Sequence, residues 1–268
     1  MAGSFVPQLI EEPGDEIGGA SGTKLRFHVQ FQAKRDSNEF PFTIANEIVA
    51  AAIGQALGLN VPGVHSYLIG GTPYVLSHLI DRRSDMAKPT PPPVTSAGLA
   101  RWVTEHPREV HGAILFDLFL ANNDRAFGPD RRNLFLNSDD RLVLYDNANC
   151  CFYRNRPSAG IVAGIARLDA VEADPQAMFD MAHKGNTYFE LLDTWEFIDF
   201  WFSRIQALPD FLFEDAVQRI PGYLARPTTT ERQRLSQFLI ARKRHLVDHI
   251  IRCQSSRFPR LPRRGDHA

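Results

Sequence analysis

Residues 82–98, "RRSDMAKPTPPPVTSAG", set the outline of this chain, because a helix or a central strand through them is strongly disfavoured. Pro91, Pro92 and Pro93 offer no backbone N–H to a ladder and favour polyproline-like φ, and the small polar residues around them read as a connection. The hydrophobic pattern changes on crossing this interval. Residues 1–81 alternate mostly in twos, with one helical stretch, whereas the sequence beyond is mostly helical. The expectation is an α+β chain: a β-rich part over 1–81, a Pro-rich connection over 82–98, a helical part with one hairpin over 99–255, and a basic tail over 256–268.

In the first part, "RFHVQFQAK" (26–34) places Phe27, Val29, Phe31 and Ala33 on one face and Arg26, His28, Gln30, Gln32 and Lys34 on the other. That is the signature of a half-buried strand. Ahead of it, "GDEIGGASGTK" follows the apolar run "FVPQLI", which reads as a strand and a glycine-rich connection. "TIANEIVAAAIGQALG" (43–58) predicts a helix, with Gly58 as left-handed cap and Pro62 preventing continuation. "HSYLIG" and "PYVLSHLI" predict two strands around the turn signal "GGTP".

In the second part, helices are expected over 109–122, 188–207 and 229–252. The last opens on a capping-box pattern from Thr228 to Glu231 and carries an apolar stripe of Leu235, Phe238, Leu239, Leu246 and Ile250. The aromatic stripe from Tyr188 to Phe202 reads as core packing, and "RFPRLPRRGDHA" as a solvated, frayed end. Cys150 and Cys151 are expected to fill a core strand. His78 and His111 lack neighbouring ligands at metal spacing and read as structural. The formal net charge of −1 argues against nucleic-acid binding by this chain alone. No run approaches the roughly 18 apolar residues of a membrane span. The first residues lack a basic start followed by an apolar core, and no C-x-x-C spacing occurs, so a reducing cytoplasm is the expected location.

The chemistry concentrates in "FDLFLANNDRAFGPDRRNLFLNSDDRLVLYDNANCCF" (116–152), where Asn122, Asn123, Asp124, Arg125, Asn133 and Asp146 sit at the edges of apolar runs. Strands over Leu134–Leu136 and Leu142–Tyr145, joined by a Ser-Asp-Asp turn, make a hairpin whose ends are Asn133 and Asp146. An amide oxygen beside a carboxylate suits Mg2+, a hard cation that meets phosphates. Asp124 is left free to act as a base or positioning group.

The order Asp124, Asn133, hairpin, Asp146 resembles the catalytic and metal-binding segments of the protein-kinase-like fold. "FDLFLANNDR…N" followed by "LYDNA", together with "ANEIVAAAIGQALGLNVPG", resembles the HipA-like kinases, relatives of the phosphatidylinositol 3-/4-kinase-like domains. The resemblance covers most of residues 18–152 and implies two lobes, a small β-rich N-lobe and a larger helical C-lobe. It further implies Asp124 as catalytic base, Asn133 and Asp146 as magnesium ligands, and Glu47 as partner of a phosphate-binding lysine. Gly18, Gly19 and Ser21 would belong to the loop over the phosphates, and backbone groups from Ser77 through His78 to Leu79 would meet the adenine.

Three departures accompany the resemblance. The family's lysine falls, by its strand offset, at or near Gln30; Lys34 lies four residues on, about 13 Å along an extended strand, and takes the role only through a bulge or a different register. The interval from Asp124 to Asn133 is longer than in ordinary protein kinases. "DNA" at 146–148 replaces Asp-x-Gly. The implied function is an ATP- and magnesium-dependent phosphotransferase of HipA-like type, acting on protein Ser or Thr. A nucleotide-binding pseudokinase serving as a regulatory or binding module is the alternative, and a small-molecule or lipid-headgroup kinase a further one. The partners implied are nucleotide and a protein substrate, with room for a regulatory partner protein.

Overall fold

The computed structural model describes residues 31–80, 104–122, 125, 133–139, 141–153, 163–180 and 189–264. The glycine-rich segment, the earlier part of the first strand, the Pro-rich connection and Asp124 lie outside the described residues.

The N-terminal described part is a three-stranded antiparallel sheet in the order β1-β3-β2, with β1 at Phe31–Lys34, β2 at Val64–Ile69 and β3 at Thr72–His78. Gly70 and Gly71 both take positive φ (57° and 80°) in the β2–β3 turn, the left-handed pair that matches the twist of a tight hairpin. Helix α1, Thr43–Ala56, packs against the sheet. It ends as its sequence implies: Gly58 takes φ 75°, its N–H donates to Gln55 O, and Leu59 N–H donates to Gly54 O. This is the paired closure of a Schellman motif. Gly54 also lets the chain return closely, since a Cβ there would lie 2.4 Å from Val61 Cγ2.

Helix α2, Pro107–Phe119, runs through the core and is buried from Val110 onward. It stops short of the expected residue 122. Ala121 takes φ 53°, its N–H donates to Leu118 O, and Asn122 N–H donates to Asp117 O, so this end closes as α1 does with alanine where glycine is usual. Strands β4 (Leu134–Leu136) and β5 (Leu142–Leu144) form the expected hairpin, pairing Leu134 with Leu144. Helix α3 covers Ile165–Ala173 and the short α4 Ala177–Asp180.

The stretch expected as one helix over 188–207 is broken. Phe189–Leu191 is a 3-10 turn, and α5 starts afresh at Trp195–Ala207 because the Thr194 side chain accepts from Glu196 N–H and caps it. After α6 (Asp210–Gln218), α7 runs from Thr229 to Arg257 behind the Thr228/Glu231 capping box. Over residues 258–264 the segment beyond it is not frayed: Phe258 and Leu261 are buried, and Trp195 Nε1 donates to Pro262 O at 2.7 Å. Two large buried apolar residues and the half-buried Trp195 indole outweigh the basic residues around them. The cysteines are buried and unpaired, but Cys150 and Cys151 occupy a turn rather than a strand. No helix among the described residues is long and apolar enough to cross a membrane.

Candidate active site

The site is assembled from β1, α1, the end of α2 and the β4–β5 hairpin. Lys34, the last residue of β1, pairs with Val75 on β3 and reaches across to α1. Its Nζ lies 2.5 Å from Glu47 Oε1 and 3.0 Å from Asp146 Oδ1, and 5.5 Å from the centre of the Tyr145 ring. Burial alone would favour the neutral amine. The carboxylates of Asp146 and Glu47 outweigh it and hold the Lys34 pKa well above its ordinary value. The reciprocal effect, against its own burial, keeps Asp146 below the usual carboxylate range.

Asp146 sits at φ 55°, a left-handed conformation that an L side chain seldom adopts. Lys34 and the Ala148 N–H both contact its Oδ1, so Oδ2 has no partner among the described residues. Helix α1 is fixed to this segment one residue before Glu47, where Asn46 Nδ2 donates to Ala148 O at 2.7 Å. Cys151 N–H donates to Leu120 O at 2.7 Å, which ties the segment after Asp146 to the end of α2.

Beneath the hairpin lies Arg125. Its Nε and Nη2 contact both carboxylate oxygens of Asp117 on α2, at 2.6–3.2 Å, and both side chains are fully buried. Nη1 donates to Asn133 O and Tyr145 O, and Nη2 also to Asn147 Oδ1 at 2.6 Å. One guanidinium therefore joins the core helix to both ends of the hairpin, a use that its planar fork of donors permits and a lysine ammonium does not. Asn133, at the start of the hairpin, accepts the Tyr145 N–H at 2.8 Å through its backbone carbonyl. This backbone pairing sets Asn133 beside the residue that precedes Asp146.

Further arginines hold the carbonyl end of α2. Arg242 donates to Leu118 O and Phe119 O, and Arg167 to Ala121 O at 3.5 Å. Burial pushes the pKa of each down to about 10, so both remain charged at neutral pH. A cation here complements the negative end of the helix dipole.

Of the residues implied by the resemblance, the structure thus groups Lys34, Glu47, Asn133 and Asp146. It places Ser77 buried on β3, with His78 half-buried and Leu79 exposed after it. Gly18, Gly19, Ser21, Gln30 and Asp124 lie outside the described residues. The lysine that meets Glu47 is Lys34, so the strand offset pointing to position 30 does not describe this contact. Arg125, Asp117 and Asn147 were not singled out as a cluster by the sequence. The signal was present in Asp117, a carboxylate inside "ILFDLFL" that needs a buried cation.

No family model and no curated protein matches the sequence. Among solved structures, the Helicobacter pylori proinflammatory kinase CtkA matches with a TM-score of 0.54 and 13% identity, covering 92% of this chain and 94% of that one. HipA of Shewanella oneidensis MR-1, solved as a toxin–antitoxin complex with HipB and operator DNA, matches with a TM-score of 0.38 and 14% identity. That match covers 85% of this chain and 57% of the HipA chain. The likeness to CtkA shows a shared mixed fold of helices with a small sheet.

Proposed function

We propose that this chain is an ATP- and magnesium-dependent phosphotransferase of HipA-like type, two-lobed, that phosphorylates Ser or Thr hydroxyls on a protein. The observation that carries the reading is the joint contact of Lys34 with Glu47 and Asp146. A largely buried lysine held between two carboxylates from distant segments carries a desolvation cost, and a nucleotide site gives it a purpose. Glu47 orients the ammonium, and incoming phosphate oxygens exchange for Asp146 at the lysine. Asp146 is then released to its second task.

The donors present fit Mg2+. Asp146 Oδ2 has no partner among the described residues, and the amide of Asn133 supplies a hard oxygen of the kind this ion prefers. When bound, the ion supplies charge neutralisation at the phosphates. Asp124 is the proposed base, accepting the proton of the acceptor hydroxyl. Arg125, its neighbour in sequence, is the anchor of the loop that carries it.

Incubating the purified chain with γ-labelled ATP, Mg2+ and a protein acceptor such as casein tests the reading. Label should appear on the chain or the acceptor, and be lost in Lys34→Ala and Asp146→Ala. A second reading is a nucleotide-binding module without transfer. It is favoured by Ala148, which stands where Asp-x-Gly has its glycine and so reduces backbone freedom after Asp146. Magnesium-dependent stabilisation by ATP without label transfer would select it.

A further inference from the structure

Away from Lys34, a second pair of side chains is arranged for chemistry that the proposed function does not use. His65 on β2 and His78 at the end of β3 bring their Nε2 atoms to 3.1 Å. Their rings are 5.3 Å apart and inclined at 57°. The two are 13 residues apart in sequence, which is why neither reads as a ligand there. The hairpin joins them: His65 opposes Leu76, and His78 lies two residues further along the same face, a diagonal neighbour. Phe31, opposite His78 on β1, sets its ring edge against both imidazoles at 4.7 and 6.2 Å. By the alternation of the strands, this is the face opposite the one that bears Lys34.

We propose that His65 and His78 form a two-imidazole site for a borderline divalent transition metal ion of the Zn2+, Ni2+ and Cu2+ class. Two nitrogens each about 2.0–2.1 Å from one ion stand roughly 2.9–3.4 Å apart at coordination angles from square to tetrahedral. The observed separation lies inside that interval. Imidazole donors select this class of ion and not Mg2+, so the site is distinct in chemistry from Asn133 and Asp146. Burial and the neighbouring His65 hold the His78 pKa below the ordinary imidazole value, which favours the neutral ring, the form that can ligate a metal. No group of three or more His, Cys, Asp or Glu within metal reach occurs among the described residues. The site therefore has two protein nitrogens, and exposure of His65 leaves its other positions to water.

The competing account of the 3.1 Å contact is a hydrogen bond, one imidazole donating to the other. Calorimetric titration of the full chain with Zn2+, without nucleotide, separates them. The proposal expects one Zn2+ per chain, affinity at least tenfold weaker in His65→Ala and in His78→Ala, and no change in His245→Ala. Binding should weaken on acidification, because metal ligation competes with protons. His65→Cys provides a second readout: it should restore an ion site, and its Co2+ complex should gain a thiolate charge-transfer band in the near ultraviolet. Absence of Zn2+ binding by the unaltered chain, or affinity unchanged in both alanine variants, overturns the proposal and leaves a hydrogen-bonded pair.

Discussion

Arg125 Nη1 donates to the backbone carbonyl of Tyr145 at 2.5 Å, so the residue that follows Asp124 is bonded to the residue that precedes Asp146. The two segments that the motif order sets apart in sequence are held together by one buried cation. Removing it while leaving Asp117 in place strands a carboxylate in the core. Arg125→Met should cost about 3–5 kcal/mol of stability, read as a lowered urea midpoint with little change in slope. Asp117→Asn combined with Arg125→Met should recover part of the loss, since no charge is then left unpaired.

Lys34 and not position 30 should govern nucleotide binding. A charge-assisted contact contributes roughly 1.5–3 kcal/mol, so Lys34→Ala should weaken ATP binding or transfer at least about tenfold. Gln30→Lys should give no gain in either. A gain from Gln30→Lys with Lys34→Ala silent would reverse the assignment.

Asp124→Asn should preserve the magnesium-dependent rise in melting temperature with ATP and remove on the order of 100-fold or more of label transfer. Loss of both together would mean that the carboxylate supports binding or folding instead of proton transfer.

Acid should destabilise the C-terminal helices through His249. Burial, with Arg242, Arg252 and His245 around it, pushes its pKa down to about 3, and its Nδ1 accepts from Arg242 at 2.6 Å, which only the neutral ring can do. The folded pKa lies below the unfolded one, so the folded state binds fewer protons between them. Stability is therefore full above about pH 6.5 and declines as pH falls toward 3, by up to about 3 kcal/mol at pH 4. His249→Gln keeps an acceptor for Arg242 without titrating, and its melting temperature should fall less steeply over that range.

Gly112→Ala should destabilise by about 1–3 kcal/mol despite the better helix propensity of alanine. A Cβ there would lie 2.4 Å from Trp201 Cε2, and the indole is fixed by its bond to Arg108 O. Thermal melts monitored by tryptophan fluorescence report both the loss and the displaced ring.

Features written in local pattern were readable from the chain. Gly58 closes α1, Gly70 and Gly71 turn β2 into β3, and Thr228 with Glu231 opens α7, because each depends on residues within one turn. What the chain hid depends on tertiary context. Ala121 ends α2 in a conformation that sequence assigns to glycine. The contact of Lys34 with Glu47 was hidden because it is set by the path of residues 35–42 back to α1, where Asp36 accepts from Ile44 N–H. An arginine in "NNDR" looks solvated until the hairpin covers it. His65 and His78 became a pair only through strand register.

Helix α1 is tethered at both ends: in its first turn to Asp36 and, through Asn46, to Ala148, and past its last turn by Arg204, which donates to Leu57 O at 2.8 Å. A rod fastened at both ends is held against swinging Glu47 toward or away from Lys34. Switching in this molecule, where it occurs, has to be a matter of side-chain rotation and loop exchange at Asp146, with the helix as a fixed rail. Ligands that act on it should then change exchange rates in the hairpin and the segment after it while the amides of α1 keep their protection.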